Sequence, residues 1–458
     1  MKISILDTLS GKKREFVPID PNNVRVYACG PTVYDFPHVG NARMAVATDL
    51  LIRVLKKNFD KVLFVSNVTD VDDKIIKSAK EKHIPIEALT NKFLEIYNQN
   101  MNHLNVKKPD LQPKATECIQ DMINMIQKLL NNKCAYKANK HILFAVETYK
   151  YYGKLSGRSI DEQVAGARVE IADFKKNPRD FVLWKPSNDD EPGWASPWGR
   201  GRPGWHIECS AMSHKCLDTP FDIHCGGVDL TFPHHENEIA QSCSTLEIDS
   251  DPENFCRYWF HNGFVTYKGE KMSKSIGNIQ LVDDILKKYD GTVIRLSLMS
   301  AHYRQPLNWT EEILIQSEKN LIRIYKNINK IKPKRTKNEF DNHDLFKEFQ
   351  ESLFDDLNTP KALGVLNKIL NQFNKSINDE KENLYYDMIE ALDLLGLNQE
   401  IKELKKIDED VIKKLIVDRD KARKEKDFKR ADEIREKLNK LNVEIEDTAE
   451  GTKWVKQK

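Results

Sequence analysis

VRVYA, at residues 24–28, is a short run of β-favouring side chains that a Cys-Gly-Pro sequence at residues 29–31 brings to an end. Apolar residues recur at helical spacing over residues 41–57 and predict a helix there. The apolar sequence KVLFVS at residues 61–66 then predicts a second strand. Strand, helix and strand in this order indicate a parallel α/β unit, because parallel strands need a crossover between them.

The chain departs from this alternation over residues 116–203. A helical pattern at 118–131 and a β-type run at 141–147 precede a loop rich in Pro, Gly, Trp and Asp. A strand-like run at 221–224 and a helical pattern at 233–246 then resume the α/β order. We therefore predict that residues 116–203 are an insertion between two halves of one α/β core.

Beyond residue 310 the composition turns to Leu, Ile, Lys, Glu and Asn with few glycines, which predicts an all-helical region. The last 58 residues carry 18 basic and 15 acidic side chains, and the block KARKEKDFKR at 421–430 contains six basic and two acidic ones. The whole chain has a net charge of only +2. Any contact with RNA phosphates must therefore come from local basic patches of this kind.

The composition also bounds where the protein acts. Hydrophobic residues make up 40% of the chain and charged residues 31%, which is typical of a globular protein. No run approaches the ~20 apolar residues that a membrane-spanning helix needs. The first 16 residues, MKISILDTLSGKKREF, lack the apolar segment of a signal peptide. We expect a cytoplasmic protein with no membrane partner.

The eight cysteines form no C-x-x-C pair, and in a large chain without a secretion signal disulfides are not expected. They are Cys29, Cys118, Cys134, Cys209, Cys216, Cys225, Cys243 and Cys256. Most of them are expected to be ordinary buried thiols. A metal-binding role for any of them requires suitable neighbours.

The sequence PHVGN at residues 37–41 follows the first strand and opens the predicted helix. A helix N-terminus attracts anions through free N–H groups and the helix dipole. Gly40 would let a nucleotide approach closely, and His38 could donate a hydrogen bond to a phosphate. The alternative is that this segment is only a capping loop that contains a histidine.

The sequence KMSKS at residues 271–275 lies between Gly269 and Gly277. Two lysines and two hydroxyls between flexible glycines suit a mobile loop that clamps phosphates. The alternative is a solvated basic loop.

A third group contains potential metal ligands, namely Cys209, His224, His234, His235 and Glu238, with Cys29 upstream. On a helix, His234 and Glu238 are four residues apart and share a face. Cys, His and Glu side chains are all ligands of Zn²⁺, which takes about four of them. The alternative is a polar helical turn that binds no metal.

Taken together, six strings along the chain resemble the cysteinyl-tRNA synthetases. They are CGPTVYD (29–35), which leads into the histidine motif, NVTDVDDKI (67–75), GWHIECSAM (204–212), GGVDLTFPHHENEIAQS (226–242), KMSKS (271–275) and EDTAEGTKW (446–454). They occur in order over essentially the whole chain, and the set is far more specific than any one member.

The resemblance implies a class I synthetase with an α/β fold: a Rossmann-type parallel-sheet catalytic core, split by an insertion and followed by all-helical C-terminal domains. The implied segments are 1–115 (first half of the core), 116–203 (connective insertion), 204–310 (second half with the KMSKS loop region), 311–400 (helical bundle) and 401–458 (anticodon-binding region). The implied activity is ATP-dependent ligation of L-cysteine to tRNA(Cys) through cysteinyl-adenylate, by a monomer, with Mg²⁺ accompanying ATP.

The resemblance also implies roles for individual residues. One Zn²⁺ would be held by Cys29, Cys209, His234 and Glu238. ATP would be bound by His38, Gly40, Asn41, Asp229, Lys271 and Lys274, of which His38, Lys271 and Lys274 would be catalytic. Thr69, Trp205 and His224 would contact cysteine, and Asp447 and Trp454 would contact tRNA. Trp454 has an alternative role, which is to anchor the tail in the core of its own domain.

Two positions depart from the expected pattern. Asn41 stands where the general class pattern has a second histidine, and Cys225 stands where glycine is expected. Cys225 places an additional thiol near the implied metal ligands, and the sequence leaves open whether it touches the metal.

Two other functions fit parts of the sequence. One is a ligase that loads cysteine onto a small amine, against which the helical C-terminal third, with its basic block at 421–430 and Trp454, argues. The other is a non-catalytic RNA-binding relative, against which the complete ligand set and the intact lysines of residues 271–275 argue.

Overall fold

The computed structural model of the chain describes residues 2–166, 173–246, 250–272, 277–331, 333–334, 336–337, 343–398, 409–425, 427–440, 443–448 and 451–456. The chain forms two compact units, Met1–Asn398 and Gln399–Lys458. A search of the described helices finds none that is both long and apolar enough to cross a membrane.

The first half of the core begins with a small hairpin and continues into the predicted strand–helix–strand unit. Its elements are β1 (Ser4–Asp7), β2 (Lys12–Glu15), β3 (Val24–Ala28), α1 (Val39–Asn58), β4 (Val62–Ser66), α2 (Asp73–Lys82) and α3 (Ile86–His103). The helix predicted over 41–57 is confirmed as α1. It starts at Val39 because the side chain of His38 caps it one residue earlier.

The predicted insertion folds as an antiparallel layer of its own. It contains α4 (Ile119–Asn131), β5 (Ala135–Ala138), β6 (His141–Phe144), α5 (Ile160–Gly166), β7 (Phe181–Pro186) and β8 (Gly201–Pro203). The strands pair in the order β5-β6-β7-β8, each antiparallel to its neighbour. The chain therefore leaves the parallel core after α3 and returns to it after β8.

The second half of the core returns with the helix that carries the GWHIECSAM motif. Its elements are α6 (Trp205–Leu217), β9 (Phe221–Gly227), α7 (Glu236–Leu246), β10 (Cys256–Asn262), β11 (Val265–Tyr267), β12 (Glu270–Lys271), α8 (Val282–Leu286), α9 (Gly291–Leu298) and β13 (Leu307–Trp309). The short strands form a separate sheet in the order β12-β11-β13.

The central sheet joins the two halves of the core. Its four strands are parallel in the order β10-β9-β3-β4, so β3 of the first half pairs directly with β9 of the second. Four of the five residues of β3 are buried, which explains why VRVYA is almost continuously apolar. The predicted Rossmann-type core, split by an insertion, is confirmed.

Helices α1 and α6 cover opposite faces of this sheet. Because side chains alternate along a strand, Tyr27 faces the cluster that contains Met212 of α6. Its neighbour Ala28 lies beside Thr48 of α1. The candidate metal ligands lie on the α6 side.

A helical bundle follows the core within the first unit. Its helices are α10 (Glu311–Ile328), α11 (Asp344–Phe354), α12 (Thr359–Lys375) and α13 (Asn378–Leu394). The fully buried Arg295 on α9 connects the bundle to the core. Its guanidinium binds the carboxylate of Asp49 on α1 and donates to the carbonyl of Leu395 at 2.7 Å. A buried charge needs such partners, because leaving it unpaired would be strongly destabilising.

The second unit combines a helical hairpin with a β-hairpin. It contains α14 (Glu409–Lys424), α15 (Phe428–Lys440), β14 (Val443–Thr448) and β15 (Gly451–Lys456), the two strands being antiparallel. The helical C-terminus is confirmed, and the β-hairpin is an addition that the all-helical prediction does not contain. Its first strand, VEIEDT, has only two apolar residues, so its pattern is a weak strand signal.

Candidate functional site

The candidate site lies where the carboxyl ends of the parallel strands meet the start of α6. Cys29 directly follows β3, and Cys209 lies in the second turn of α6. His234 belongs to a distorted turn over Thr231–His235, and Glu238 lies in the first turn of α7. Residues that are far apart in sequence therefore converge at the edge where open α/β sheets bind ligands.

The four predicted metal ligands form one buried group. One donor atom from each of Cys29, Cys209, His234 and Glu238 lies within 4.8 Å of all the others. The sulfur of Cys29 is 3.7 Å from that of Cys209 and 3.5 Å from Oε1 of Glu238. Nε2 of His234 is 3.0 Å from the same carboxylate oxygen. The structure thus brings together all four residues that the sequence prediction selected.

A second group shares half of these donors. Cys29 and Glu238 also lie within 4.8 Å of donor atoms from His224 and His235. His224 uses Nε2 to contact Oε2 of Glu238 at 2.9 Å, and its ring stacks on Trp259 at 4.6 Å between centroids. His224, which the sequence prediction assigned to substrate contact, therefore orients the carboxylate from behind.

The charges of the first group call for a cation. Burial opposes ionisation of Glu238, but His224 and His234 together lower its pKa to about 2. A hydrogen bond from Cys29 lowers the pKa of Cys209 below its usual value. Burial opposes protonation of His234, yet Glu238 and Cys209 raise its pKa to about 10. The lowered pKa values of Glu238 and Cys209 thus favour anionic donors, and a divalent cation can take over the charge balance that the histidines give them.

The donor set fits zinc in particular. Zn²⁺ prefers about four ligands drawn from thiolates, imidazoles and carboxylates, and this group supplies all three kinds. The buried Nδ1 of His224 and the buried hydroxyl of Tyr27 have no hydrogen-bond partner among the described residues. Both atoms can therefore still form a hydrogen bond beside the group. Metal sites commonly have such polar surroundings.

Two neighbouring aromatic side chains, Trp205 and His206, pack against the ring of His234. Trp205 stacks on the His234 ring with 4.2 Å between centroids, and Nδ1 of His206 lies 3.0 Å from Nδ1 of His234. Trp205 is 38% exposed, whereas His234 is buried. Trp205 therefore covers one face of the buried His234 ring while remaining partly exposed itself.

Thr69 closes the site from the end of β4. Its hydroxyl donates to Oε2 of Glu208 at 3.0 Å and accepts from Nδ2 of Asn67 at 3.4 Å. Oδ1 of Asn67 accepts from the backbone N–H of Gly30 at 2.8 Å and lies 3.7 Å from the sulfur of Cys209. Thr69 thus reaches the metal-ligand group through one intervening residue.

Sequence reasoning named His235 as a potential ligand without selecting it, and it missed His261, which lies next to His235. Nε2 of His235 is 3.3 Å from the sulfur of Cys29, and its Nδ1 is 2.7 Å from Nε2 of His261. His261 in turn reaches the hydroxyl of Thr8 at 2.8 Å. His235 adjoins a predicted ligand in sequence and was a visible candidate. His261 enters only through the pairing of β10 with β9, which the sequence does not specify.

Cys225 does not join either donor group. It lies on β9 between His224 and Gly226, so alternation turns its side chain away from His224. The thiol of Cys225 forms a hydrogen bond with Thr48 of α1. Burial raises the pKa of this thiol well above its usual value. The extra thiol of this chain is thus on the opposite face of the sheet from the candidate ligands.

The loop before α1 is organised around His38. Its Nδ1 accepts from the backbone N–H groups of Gly40 at 3.0 Å and Asn41 at 3.4 Å, and the Asn41 side chain accepts from the His38 N–H at 3.0 Å. The capping role that the sequence analysis considered for this segment is therefore present, because His38 caps α1. It also fixes the tautomer, because an Nδ1 that accepts leaves the proton on Nε2. The ring can thus cap the helix and still donate a hydrogen bond outward.

Gly40 is required by this arrangement. A Cβ at Gly40 would lie 2.8 Å from Cε1 and 2.9 Å from Nδ1 of His38, closer than side-chain atoms approach. The absence of a side chain at Gly40 is therefore needed for the histidine cap as well as for close approach of a ligand.

The flank of the KMSKS loop touches the His38 loop. Val39 donates to the carbonyl of Gln280 at 3.0 Å, and Val282 donates to the carbonyl of Pro37 at 3.0 Å. Lys271 ends the hairpin of β11 and β12. Lys274 lies outside the described residues. The two predicted ATP-binding motifs are thus tied together by backbone hydrogen bonds close to both.

The remaining predicted contacts are more scattered. Asp229 is exposed in a short turn directly after β9, at the same edge of the sheet as Cys29. In the second unit, Asp447 lies on β14 and Trp454 lies opposite Ile445 across the hairpin. Trp454 packs, partly buried, against a cluster that includes Leu438. The anchoring role considered for Trp454 is therefore present.

Comparisons with known proteins agree with this layout. Residues 15–319 match the family described as tRNA synthetases class I (C) catalytic domain, residues 348–400 a DALR domain, and residues 409–454 a cysteinyl-tRNA ligase anticodon binding domain. The chain is 47% identical to the cysteine–tRNA ligase of Maricaulis maris, covering 99% of both chains. It is also 47% identical to that of Pelagibacter ubique, covering 99% of this chain and 98% of the relative.

Solved structures resemble the chain in fold. A Mycobacterium tuberculosis methionyl-tRNA synthetase in complex with methionyl-adenylate superposes with a TM-score of 0.58 at 16% identity, covering 82% of this chain and 90% of that one. The Agrobacterium radiobacter K84 agnB2 LeuRS–tRNA–LeuAMS ternary complex gives 0.60 at 9% identity, covering 84% and 85%. At such low identity these matches support a shared fold and nothing further.

Proposed function

The chain belongs to the cysteine–tRNA ligase family of class I aminoacyl-tRNA synthetases, and on this premise we propose that it ligates L-cysteine to tRNA(Cys) through cysteinyl-adenylate, with a Zn²⁺ ion selecting the thiol. The observation that carries the proposal is the buried group of Cys29, Cys209, His234 and Glu238 at the carboxyl edge of the sheet. The capped N-terminus of α1 lies at the same edge.

The chemistry has two steps. The cysteine carboxylate attacks the α-phosphorus of ATP, and the bond to pyrophosphate breaks. A hydroxyl of the terminal ribose of tRNA then attacks the carbonyl carbon, and AMP leaves. Because the carboxylate is already ionised, the first step needs no general base. The protein's contribution is mainly positioning and stabilisation of charge.

The ATP phosphates would bind between the His38 loop and the KMSKS loop. His38 would donate from Nε2–H to a phosphate at the positive end of the α1 dipole, where Gly40 leaves room and Asn41 supports the cap. Lys274 would join His38 in stabilising charge at the α-phosphate, and Lys271 would help to hold the leaving pyrophosphate with Mg²⁺. Asp229 would contact the nucleotide from the end of β9. The backbone hydrogen bonds between the two loops support this arrangement.

The metal would be held by Cys29, Cys209, His234 and Glu238 rather than by the overlapping second group. Cys209 supplies a second sulfur, and His224 already orients the carboxylate of Glu238 from outside. With an open position, Zn²⁺ supplies a soft Lewis-acid site that prefers a thiolate to an un-ionised hydroxyl. Trp205 and Thr69 would contact the rest of the amino acid.

The second unit would bind the tRNA anticodon. Its basic block at 421–430 can contact phosphates, and single-stranded loops are where RNA sequence is usually read. Asp447 would accept a hydrogen bond from a base edge, and the exposed part of Trp454 would stack on a base. We further propose that the enzyme works as a monomer in the cytoplasm, without a membrane partner.

The proposal as a whole is tested by two assays on the purified chain. Cysteine-dependent exchange of pyrophosphate into ATP should occur without tRNA, and cysteine should be transferred to tRNA(Cys). Transfer of cysteine to a small amine with no transfer to tRNA would identify the small-amine ligase instead. Absence of both reactions in a folded, zinc-loaded chain would leave the non-catalytic relative.

Lys274→Ala should slow pyrophosphate exchange by ~10²–10³-fold, because one preorganised donor to developing charge is lost. Cysteine binding should change far less, since the lysine acts on phosphates. Lys287→Ala is the matched control, because Lys287 is an exposed lysine that pairs with Asp284. Unchanged exchange in Lys274→Ala would remove this lysine from the mechanism.

His38→Asn should separate the two functions of the histidine. Asparagine is a strong N-cap residue, so the helix keeps its cap, but the outward Nε2–H donor is lost. We expect exchange to fall by ~10²–10³-fold with a nearly unchanged thermal midpoint. His38→Ala should lose activity to the same extent and also about 1 kcal/mol of unfolding free energy. Equal activity of the asparagine variant and the parent would mean that His38 only caps the helix.

A further inference from the structure

A carboxylate that has no cationic partner lies beside the candidate metal ligands. Glu208, in the first turn of α6, is 1% exposed. Among the described residues, the hydrogen-bond partner of Glu208 is the hydroxyl of Thr69, which donates to Oε2 at 3.0 Å, and no Lys, Arg or His of that part of the chain forms an ion pair with it. The charged groups that act on it most are acidic, namely Cys209, Asp70 and Asp72. A buried carboxylate in such surroundings is costly unless a cation joins it.

Nearby cations of the protein are already engaged. Lys185 and Arg202 both bind the carboxylate of Asp73 at 2.9 Å, and Arg202 also binds Glu191 at 2.9 Å. Asp70 accepts two hydrogen bonds from Thr116 and is satisfied without a charge partner. Among the described residues Glu208 therefore has no cation of its own, and a bound ligand can supply one.

Thr69 connects Glu208 to the site. Because its hydroxyl proton is donated to Glu208, the oxygen of Thr69 can take part in further hydrogen bonds only as an acceptor. Asn67, which donates weakly to the same oxygen at 3.4 Å, also touches Cys209 and Gly30. An amino acid whose sulfur meets the metal-ligand group carries its ammonium three bonds away, on the side where these residues converge.

We infer that Glu208, acting through the hydroxyl of Thr69, provides the negative charge that recognises the α-ammonium of the substrate cysteine. The inference rests on the proposed function, since it assumes that the cysteine sulfur lies at the group of Cys29, Cys209, His234 and Glu238. Glu208 is thus a positioning residue: it fixes Thr69 as an acceptor and neutralises the ammonium. The group of Cys29, Cys209, His234 and Glu238 recognises the thiol of the substrate, and the Glu208–Thr69 pair recognises its ammonium.

The test compares two ligands that differ in the amine. L-cysteine and 3-mercaptopropionate share a thiol and a carboxylate, and only cysteine has the ammonium. Equilibrium binding of both is measured on zinc-loaded parent, Glu208→Gln and Thr69→Val, with zinc content determined for each. Asp70→Asn is the matched control, because it removes a buried negative charge of the same neighbourhood that has its own partner in Thr116.

We expect Glu208→Gln to weaken cysteine binding by about 10- to 100-fold, the usual effect of losing a charge-assisted hydrogen bond. Binding of 3-mercaptopropionate and the zinc content should stay within about twofold of the parent. Thr69→Val should show the same selective loss, and Asp70→Asn should not. In steady state, KM for cysteine should rise much more than kcat falls, which a general structural defect would not produce.

Equal losses for both ligands, or loss of zinc, in Glu208→Gln would overturn the inference and make Glu208 a structural partner of β4. Should Glu208→Gln fail to fold, Thr69→Val decides the question by the same comparison. Failure of the proposed function looks different, because the parent itself would then bind cysteine equally well with and without zinc. The ratio of the two ligands' affinities would still report on Glu208 in that case.

Discussion

Replacing Cys209 with serine or Glu238 with alanine is expected to deplete bound zinc and to abolish the preference for cysteine over serine. The two amino acids differ by one atom, and an ordinary pocket separates such near-isosteres by only ~10²-fold. Accurate protein synthesis needs nearer ~10⁴, or about 5.5 kcal/mol at 1.36 kcal/mol per tenfold. We therefore expect discrimination to fall by at least ~10²-fold when a ligand is removed.

The measurement is metal content by elemental analysis, together with cysteine and serine affinities. Cys225→Ser is the matched control, because Cys225 is an equally buried thiol on the opposite face of the sheet and in neither donor group. It should keep its zinc. Should the ligand variants lose their metal and still bind cysteine tightly while rejecting serine, selection by zinc is wrong. Zinc retained in Cys209→Ser but lost in Glu238→Ala would favour the overlapping group with His224 and His235, which contains Glu238 but not Cys209.

Removing the second unit should abolish charging of tRNA and leave adenylate formation largely intact. The cut after Asn398 follows the boundary between the two compact units. It spares the end of the bundle, where Arg295 binds the Leu395 carbonyl and Leu397 donates back to Leu392. The truncated chain should therefore fold and carry out cysteine-dependent pyrophosphate exchange at close to the parent rate.

A milder change separates RNA binding from folding of that unit. Lys429 and Arg430 are exposed on α15 within the basic block. Replacing both with alanine should weaken tRNA binding and make it less dependent on salt, because each phosphate contact contributes to the salt slope.

In the chain cut after Asn398, loss of pyrophosphate exchange together with loss of tRNA charging would point to misfolding. Full charging by that chain would exclude the second unit from tRNA recognition.

The core and the metal-ligand group were predictable because their signals are local. VRVYA and the helix that follows it carry the periodicities of a buried strand and an amphipathic helix, and both occur where expected. The four donors could be selected because each lies in a string that resembles a known family. Their convergence within 4.8 Å depends on strand order, which the resemblance supplied and the periodicity did not.

What escaped prediction depends on contacts distant in sequence. The proximity of Glu208 and Thr69 joins α6 to the end of β4, which lie 139 residues apart. His261 reaches the site only because β10 pairs with β9. The cap that Nδ1 of His38 makes on α1 is set by the rotation of the side chain, which a motif does not encode. The β-hairpin around Trp454 was missed because its two six-residue strands are mostly polar.

The most direct test of zinc selection is to load the enzyme with Co²⁺, a divalent ion that the same donors accept, and to record its visible and near-ultraviolet spectrum during titration. Cysteine should strengthen the sulfur-to-cobalt absorption bands, because a further thiolate joins those of Cys29 and Cys209. Serine at equal occupancy should leave these bands unchanged. A spectrum that cysteine does not alter, at concentrations that saturate adenylate formation, would contradict direct contact between the substrate sulfur and the metal.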